Sequence, residues 1–309
     1  MAGTTARWRP EHGVEIIAGT PPGGGLDRTA RAIARSFESQ RLLDVPVEVL
    51  NIPGEGARKA WSYVERRAGD PHVLAISSPN LTTDRLVGLA TFDHSAFTPL
   101  AILYNEYIAF VVRSDSAIRD AGDLLDAFAE RGASLTVALS TALGNPNHIA
   151  LAKVIRHAGG DVRAPAIRVF DSALDAVADV LAGNAALAAV TAASAVEAIA
   201  GGTARAVAVS APQRLGGVYK STPAWRELGA DCAVGAWRGV TGPRGVDGAA
   251  IAFWQSVLRT ATTGSGWNAE LARHYWTPLY IHGLALGRHL AAENAEMAAI
   301  VAELGLVRR

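Results

Sequence analysis

The 309-residue chain is half hydrophobic and 19% charged, with 29 basic against 29 acidic residues. That length suits one large or two medium domains with a sizeable core, and the even balance, without an arginine-rich arm or a lysine run, argues against a nucleic-acid partner. The single cysteine, Cys232, excludes an intramolecular disulfide and a thiolate metal cluster, and the Ala-rich stretch from Leu181 to Ala200 is too interrupted by Gly183, Asn184, Ser194 and Glu197 to span a membrane.

The opening "MAGTTARWRP" lacks the apolar central region of a secretory signal, which leaves two expectations: a cytoplasmic protein, or one whose signal has been removed. The first strand is predicted at "VEIIA" from Val14, followed by "TPPGGGLDRTAR" and a helix. Leu26, Ala30, Ile33, Ala34 and Phe37 share one face of that helix, while Arg28, Arg31 and Arg35 share the opposite face. Asp27 stands at the helix start, where a carboxylate accepts a backbone N–H and complements the dipole. The turn is not a dinucleotide fingerprint, because Arg28 occupies the place of its third glycine, and no Gly-Lys-Ser/Thr closes a phosphate loop. It remains either an anion site at a helix N-terminus or a tight turn with no ligand.

Further strands are predicted at "VEVL" (47), "VLAIS" (73), "IAFVV" (108), "LTVAL" (135), "AIRVF" (166), "LAAVT" (187) and "RAVAVS" (205), with helices between most of them. This alternation is the pattern of βα units and mostly parallel sheets. Ser77 and Ser78 end the third strand. The turn "STALGNPNH" carries Ser140, Thr141 and Gly144, with Asn145 or Asn147 as helix cap and His148 orienting the turn. In "FDSALDA", Asp171 or Ser172 caps another helix, and Asp171 near an anion site would favour an amino acid or a hydroxylated acid. Trp237 in "GAWRG" is expected beside a hinge, Trp61, Trp254, Trp267 and Trp276 in helical segments, and a long helix over 284–304. The expectation is an α/β fold of two lobes, residues 1–108 with 240–309 and residues 109–239. Polar turns facing each other across the cleft would clamp a ligand. No nucleophile elbow, His-Glu-x-x-His or Cys-x-x-Cys is present, and His274, His282 and His289 have no carboxylate at ligand spacing, so no catalytic residue, metal or cofactor is assigned.

Six stretches in order, "PGGGLDRTAR", "VEVLNIPGEGA", "GDPHVLAIS", "FTPLAIL", "ALSTALGNPNH" and "GAWRGVTGPRG", resemble the solute receptors of tripartite tricarboxylate transporters, the Bug receptors. The resemblance runs from about Val14 to the C-terminus. It implies a monomeric periplasmic Venus-flytrap receptor of the type II binding-protein class that delivers a small organic carboxylate or amino acid to a membrane permease. By the same match, Pro22, Gly23, Gly24, Gly25 and Asp27 fall on one carboxylate-holding turn, and Ser140, Thr141, Gly144, Asn145 and His148 on the other. The chain departs from the family at Phe170, Asp171 and Ser172, where Tyr-Lys-Gly is frequent, and at Ala186, where an Asp is frequent. These departures bear on the ligand rather than on the fold. Two rival expectations remain: a receptor serving a membrane sensor, and a cytoplasmic enzyme using Asp27 or His148 in acid–base chemistry.

Overall fold

The computed structural model describes residues 8–307; the opening segment read for a secretory signal lies, through residue 7, outside them. The chain begins with β1 (Val14–Ala18), α1 (Gly25–Ser39), β2 (Val47–Asn51), α2 (Arg58–Glu65), β3 (Val73–Ser77), α3 (Asn80–Leu86) and β4 (Thr98–Asn105). It then crosses into β5 (Ile108–Arg113), α4 (Ala121–Arg131), β6 (Thr136–Ser140), α5 (Pro146–His157), β7 (Ala166–Phe170), α6 (Ala173–Leu181), β8 (Leu187–Thr191), α7 (Ala192–Ala200) and β9 (Ala204–Val209). The return supplies β10 (Arg238–Gly242), α8 (Gly248–Ala261), α9 (Ser265–Arg273), β11 (Thr277–His282) and α10 (Gly283–Glu303).

Two mixed sheets result, ordered β11-β4-β10-β3-β1-β2 and β7-β6-β8-β5-β9. In the first, β1 pairs in parallel with β2 and β3, and β10 runs antiparallel between β3 and β4. In the second, β6 is parallel to β7 and β8, and β5 antiparallel to β8 and β9. Every residue of β3 and β8 is buried, as expected where helices cover both faces of a sheet, whereas the edge strand β7 is half open to solvent. The eight strands predicted from β-branched runs are all present.

Each sheet has its own apolar core. Trp61, Trp254, Trp267 and Trp276 anchor the first, where Trp276 stacks on Tyr104 at 4.1 Å, and Trp225 anchors the second, edge-on to Phe110. Fully burying one large apolar side chain contributes about 1.5–3 kcal/mol, so these anchors hold each lobe without a disulfide. Trp276 lies between α9 and β11, not in a helix as predicted, because the chain there turns into the edge strand. Cys232 behaves as a small apolar residue: it is buried, and burial pushes its thiol up to about 12.

The two crossovers run side by side. Ala236 donates its N–H to the Glu106 carbonyl at 2.7 Å, and Tyr107 bridges to Gly235. α10 lies along both lobes: Leu286 and Leu290 pack on Ile102 and Trp237, while Met297, Ile300 and Leu304 join the core of the second sheet. Among the described residues no helix is long and apolar enough to cross a membrane, and no group of three His, Cys, Asp or Glu is placed to hold a metal ion.

Candidate ligand-binding site

A cavity of about 600 Å³ opens between the two sheets, at the C-terminal ends of β1, β3, β6, β7 and β8. In open α/β sheets this is where ligands sit, because strand ends and helix N-termini converge there.

From the first sheet comes the Thr20–Gly25 turn, and Pro22, Gly23, Gly24 and Gly25 all line the cavity. The Gly24 N–H donates to the Pro21 carbonyl at 2.9 Å and Gly23 takes a left-handed φ of +81°, which closes the chain into α1 without a side-chain cap. At Gly24 the demand for a glycine is steric: a Cβ there would stand 2.6 Å from Thr20 Cβ and 3.0 Å from the Pro21 carbonyl oxygen. Asp27 lies behind this turn rather than in the cavity. Its carboxylate accepts the Gly23 N–H at 2.8 Å, Arg31 Nε at 2.9 Å and Asn51 Nδ2 at 2.9 Å, and its own N–H donates to Thr20 Oγ1. It builds the turn and is not among the residues that line the cavity, unlike the neighbouring glycines grouped with it from the sequence.

The second sheet supplies Ser140, Thr141 and Asn145 to the cavity wall. Asn145 is the cap of α5: its Oδ1 accepts the His148 N–H, and its Nδ2 donates to the Ser140 carbonyl at 2.6 Å and to Thr141 Oγ1 at 3.0 Å. Asn147 donates to Ser140 Oγ at 2.9 Å and also lines the cavity. His148 and Gly144 are placed away from it. The His148 imidazole is buried, which drives it down to about 4, and its neutral Nδ1 accepts the Gly144 N–H at 3.1 Å. It orients the turn, as its position in the sequence indicated, and does not touch the cavity. Gly144 packs against Val87 on the other side of the chain.

Ser78 lines the cavity, whereas Ser77 points to the opposite face of the first sheet, beside Trp237 and Leu290. Strand alternation separates the two. Asp171 and Ser172 lie on the cavity wall, and of the two Ser172 is the cap, accepting the Asp175 N–H at 3.1 Å.

Two arginines were not foreseen here. Arg28 leaves the polar face of α1 and enters the cavity, donating to the Gly23 carbonyl at 3.1 Å and across the cleft to Ser194 Oγ at 3.4 Å. Arg238 lines it from the second crossover, 8% exposed, with Nη2 on Glu106 Oε2 at 3.2 Å and Nη1 on the Ala236 and Trp237 carbonyls. The Nε atoms of Arg28 and Arg238 are buried with no acceptor among the described residues. Ser194 and Thr191, hydrogen-bonded to each other at 3.1 Å, follow the same rule of polar residues after a strand end that singled out Ser140. A second hydrogen bond crosses the cleft from Asn80 Nδ2 to Thr141 Oγ1 at 2.8 Å.

Residues 29–306 match the family model described as "Tripartite tricarboxylate transporter family receptor". Among curated proteins the chain is 28% identical, over 177 residues, to a UPF0065 protein in the tcbD-tcbE intergenic region of Pseudomonas sp. (strain P51). That match covers 57% of this chain and spans about half the length of the relative, 51%. Among solved structures, a TctC solute-binding protein from Polaromonas is 25% identical, with a TM-score of 0.72 over 96% of this chain and 99% of that one. The fold is also that of MatC from Rhodopseudomonas palustris with bound malate (21% identical, TM-score 0.82, 94% and 99% covered). An R. palustris protein with adipate shares it too (20% identical, TM-score 0.87, 96% and 99% covered).

Proposed function

The chain belongs to the tripartite tricarboxylate transporter receptor family, and on that premise we propose that it is a periplasmic solute-binding protein that captures a small organic carboxylate between its lobes. The captured acid is handed to the membrane permease of a tripartite tricarboxylate-type transporter, the receptor acting as a monomer. The observation that carries this reading is the convergence of two polar turns from different sheets, Gly23–Gly25 and Ser140–Asn145, on one cavity. Related folds hold malate and adipate, which supports a carboxylate as the ligand class.

In this reading the carboxylate is received by the N-terminal N–H groups of α1, by the hydroxyls of Ser78, Ser140 and Thr141, and by the two guanidiniums. The bodies that close are residues 1–108 with 240–309 and residues 109–239. Binding shifts the open–closed balance only as far as the ligand prefers the closed form. Acid–base use of Asp27 or His148 gains no support, since neither lines the cavity: the first is tied into the turn behind it and the second is buried.

The test is a thermal-shift screen of the purified protein against organic acids, amino acids and nucleotides at fixed pH and salt. An acid at about one hundred times its Kd adds roughly 2.7 kcal/mol of stability, a rise of several degrees in Tm for a chain of this size. A shift with nucleotides and none with any acid overturns the receptor reading.

A further inference from the structure

The charges that line the cavity are divided between two walls. At the end near the crossovers stand Arg28 and the buried Arg238, each with an unpartnered Nε, together with the Thr191 and Ser194 hydroxyls. Arg28 stands on the first turn of α1 and bonds the Gly23 carbonyl, and Arg238 Nη2 is 3.4 Å from where a Gly25 side chain would begin. Cationic donors and the N-terminus of α1 therefore share one locus. Arg238 is already paired with Glu106, so the one guanidinium there without a carboxylate partner among the described residues is Arg28.

The wall made by the first turn of α6 has the opposite character. It carries the Asp171 and Asp175 carboxylates, and between them Ala173 and Leu174. Leu174 is 50% exposed although it faces a cavity. Pro22, Pro53 and Pro146 extend the apolar lining elsewhere in the cavity. A second carboxylate carried towards α6 would lose its hydration against Leu174 and meet two like charges. An apolar body would cover Leu174 and take its exposed apolar surface out of water.

We infer that this receptor selects monocarboxylates with an apolar body, Arg28 reading the carboxylate and Leu174 the body, and that Asp171 and Asp175 disfavour a second carboxylate at the α6 wall. The inference rests on the receptor reading above and narrows its ligand class. Leu174 acts as a specificity-determining residue. Its exposure on the first turn of a helix means that it can be exchanged without disturbing either core.

The experiment is calorimetric titration of the full chain with butyrate, hexanoate and adipate, repeated on Leu174→Ser and Arg28→Gln. Wild-type protein is expected to gain about fourfold in affinity per added CH₂ from butyrate to hexanoate, and to bind adipate more weakly than hexanoate. In L174S the gain from butyrate to hexanoate should shrink several-fold with butyrate nearly unchanged, whereas R28Q should weaken both monocarboxylates alike, by roughly tenfold. Adipate binding more tightly than hexanoate, or L174S weakening butyrate as much as hexanoate, overturns the selectivity while leaving the receptor reading intact. Failure of the wild-type protein to bind any of the three acids, or any other acid of the screen, overturns both.

Discussion

Asp27 braces the Thr20–Gly25 turn from behind the cavity wall. It is 2% exposed and ties together Gly23, Arg31 and Asn51, so the turn's backbone is set before any ligand arrives. Asp27→Ala removes these acceptors, leaving the Gly23 N–H without its partner and the Asn51 amide with only the Thr20 carbonyl to donate to. The expected loss is about 2–4 kcal/mol of stability, read by denaturant unfolding, together with a weaker response to acids in the thermal screen. Unchanged stability would mean that the turn holds its shape without the carboxylate. The part of the loss due to Arg31 is small, because that guanidinium is 46% exposed and screened.

At the scale of elements, the site consists of helix starts held against strand ends by close backbone approach. Gly24→Ala places a Cβ against Thr20 and the Pro21 carbonyl, and neither can retreat without opening the turn into α1. A cost of about 1–3 kcal/mol is expected, as for overpacking, with weaker acid binding because the N–H groups of α1 no longer aim into the cavity. Gly23→Ala is the control that separates strain from collision. Nothing stands within 4 Å of its Cβ, so only the penalty of the left-handed φ of +81° remains, roughly 1 kcal/mol. Equal losses in the two variants would refute the steric account of Gly24.

For the whole molecule, α10 and the crossovers link the lobes, and their tie is titratable. Trp237 Nε1 donates to Glu293 Oε2 at 2.6 Å, and burial, helped by the nearby Glu296, raises the Glu293 carboxyl to about 7 against the pull of that hydrogen bond. Asp84, raised by burial to about 6 despite Arg58, has the same sign. A raised folded-state pKa gives stability that is complete below the unfolded value and is lost as pH rises through the folded one. Glu293 therefore costs stability progressively between about pH 4.5 and 7. His148 works the other way: depressed from 6.5 to about 4, it makes the protein lose stability as pH falls through that interval. Glu293→Gln keeps an acceptor for Trp237 and removes one titration, so its Tm relative to wild type should improve from pH 5 to pH 8. The improvement should be about 2 kcal/mol, or several degrees at roughly 2–4 °C per kcal/mol. Parallel Tm–pH curves for the two proteins would refute this role for Glu293.

Much of the architecture is local and was therefore legible in the sequence. β-Branched runs gave the eight strands, the spacing of Leu26, Ala30, Ile33 and Phe37 gave the buried face of α1, and Gly- and Asn-rich turns marked the strand ends that line the cavity. Three strands lacked such a signal. β4 and β11 each carry a proline and β10 reads "RGVTG", a poor strand by propensity that is one here because β3 and β4 flank it, Gly239 letting the Ala101 carbonyl approach. The site divided in the same way. Sequence alone identified turns that line the cavity, but not which side of each turn faces it, so Asp27, Ser77, Gly144 and His148 lie behind or beside the wall. Nor does a helical wheel distinguish solvent from a cleft, which is why Arg28 read as a surface residue. Arg238 became a cavity residue only because Glu106, 132 positions away in sequence, holds it at the crossover. Periodicity and turn chemistry act between near neighbours and are written in the chain, whereas the facing of a side chain into a shared cavity depends on two sheets meeting, and only the tertiary structure decides that.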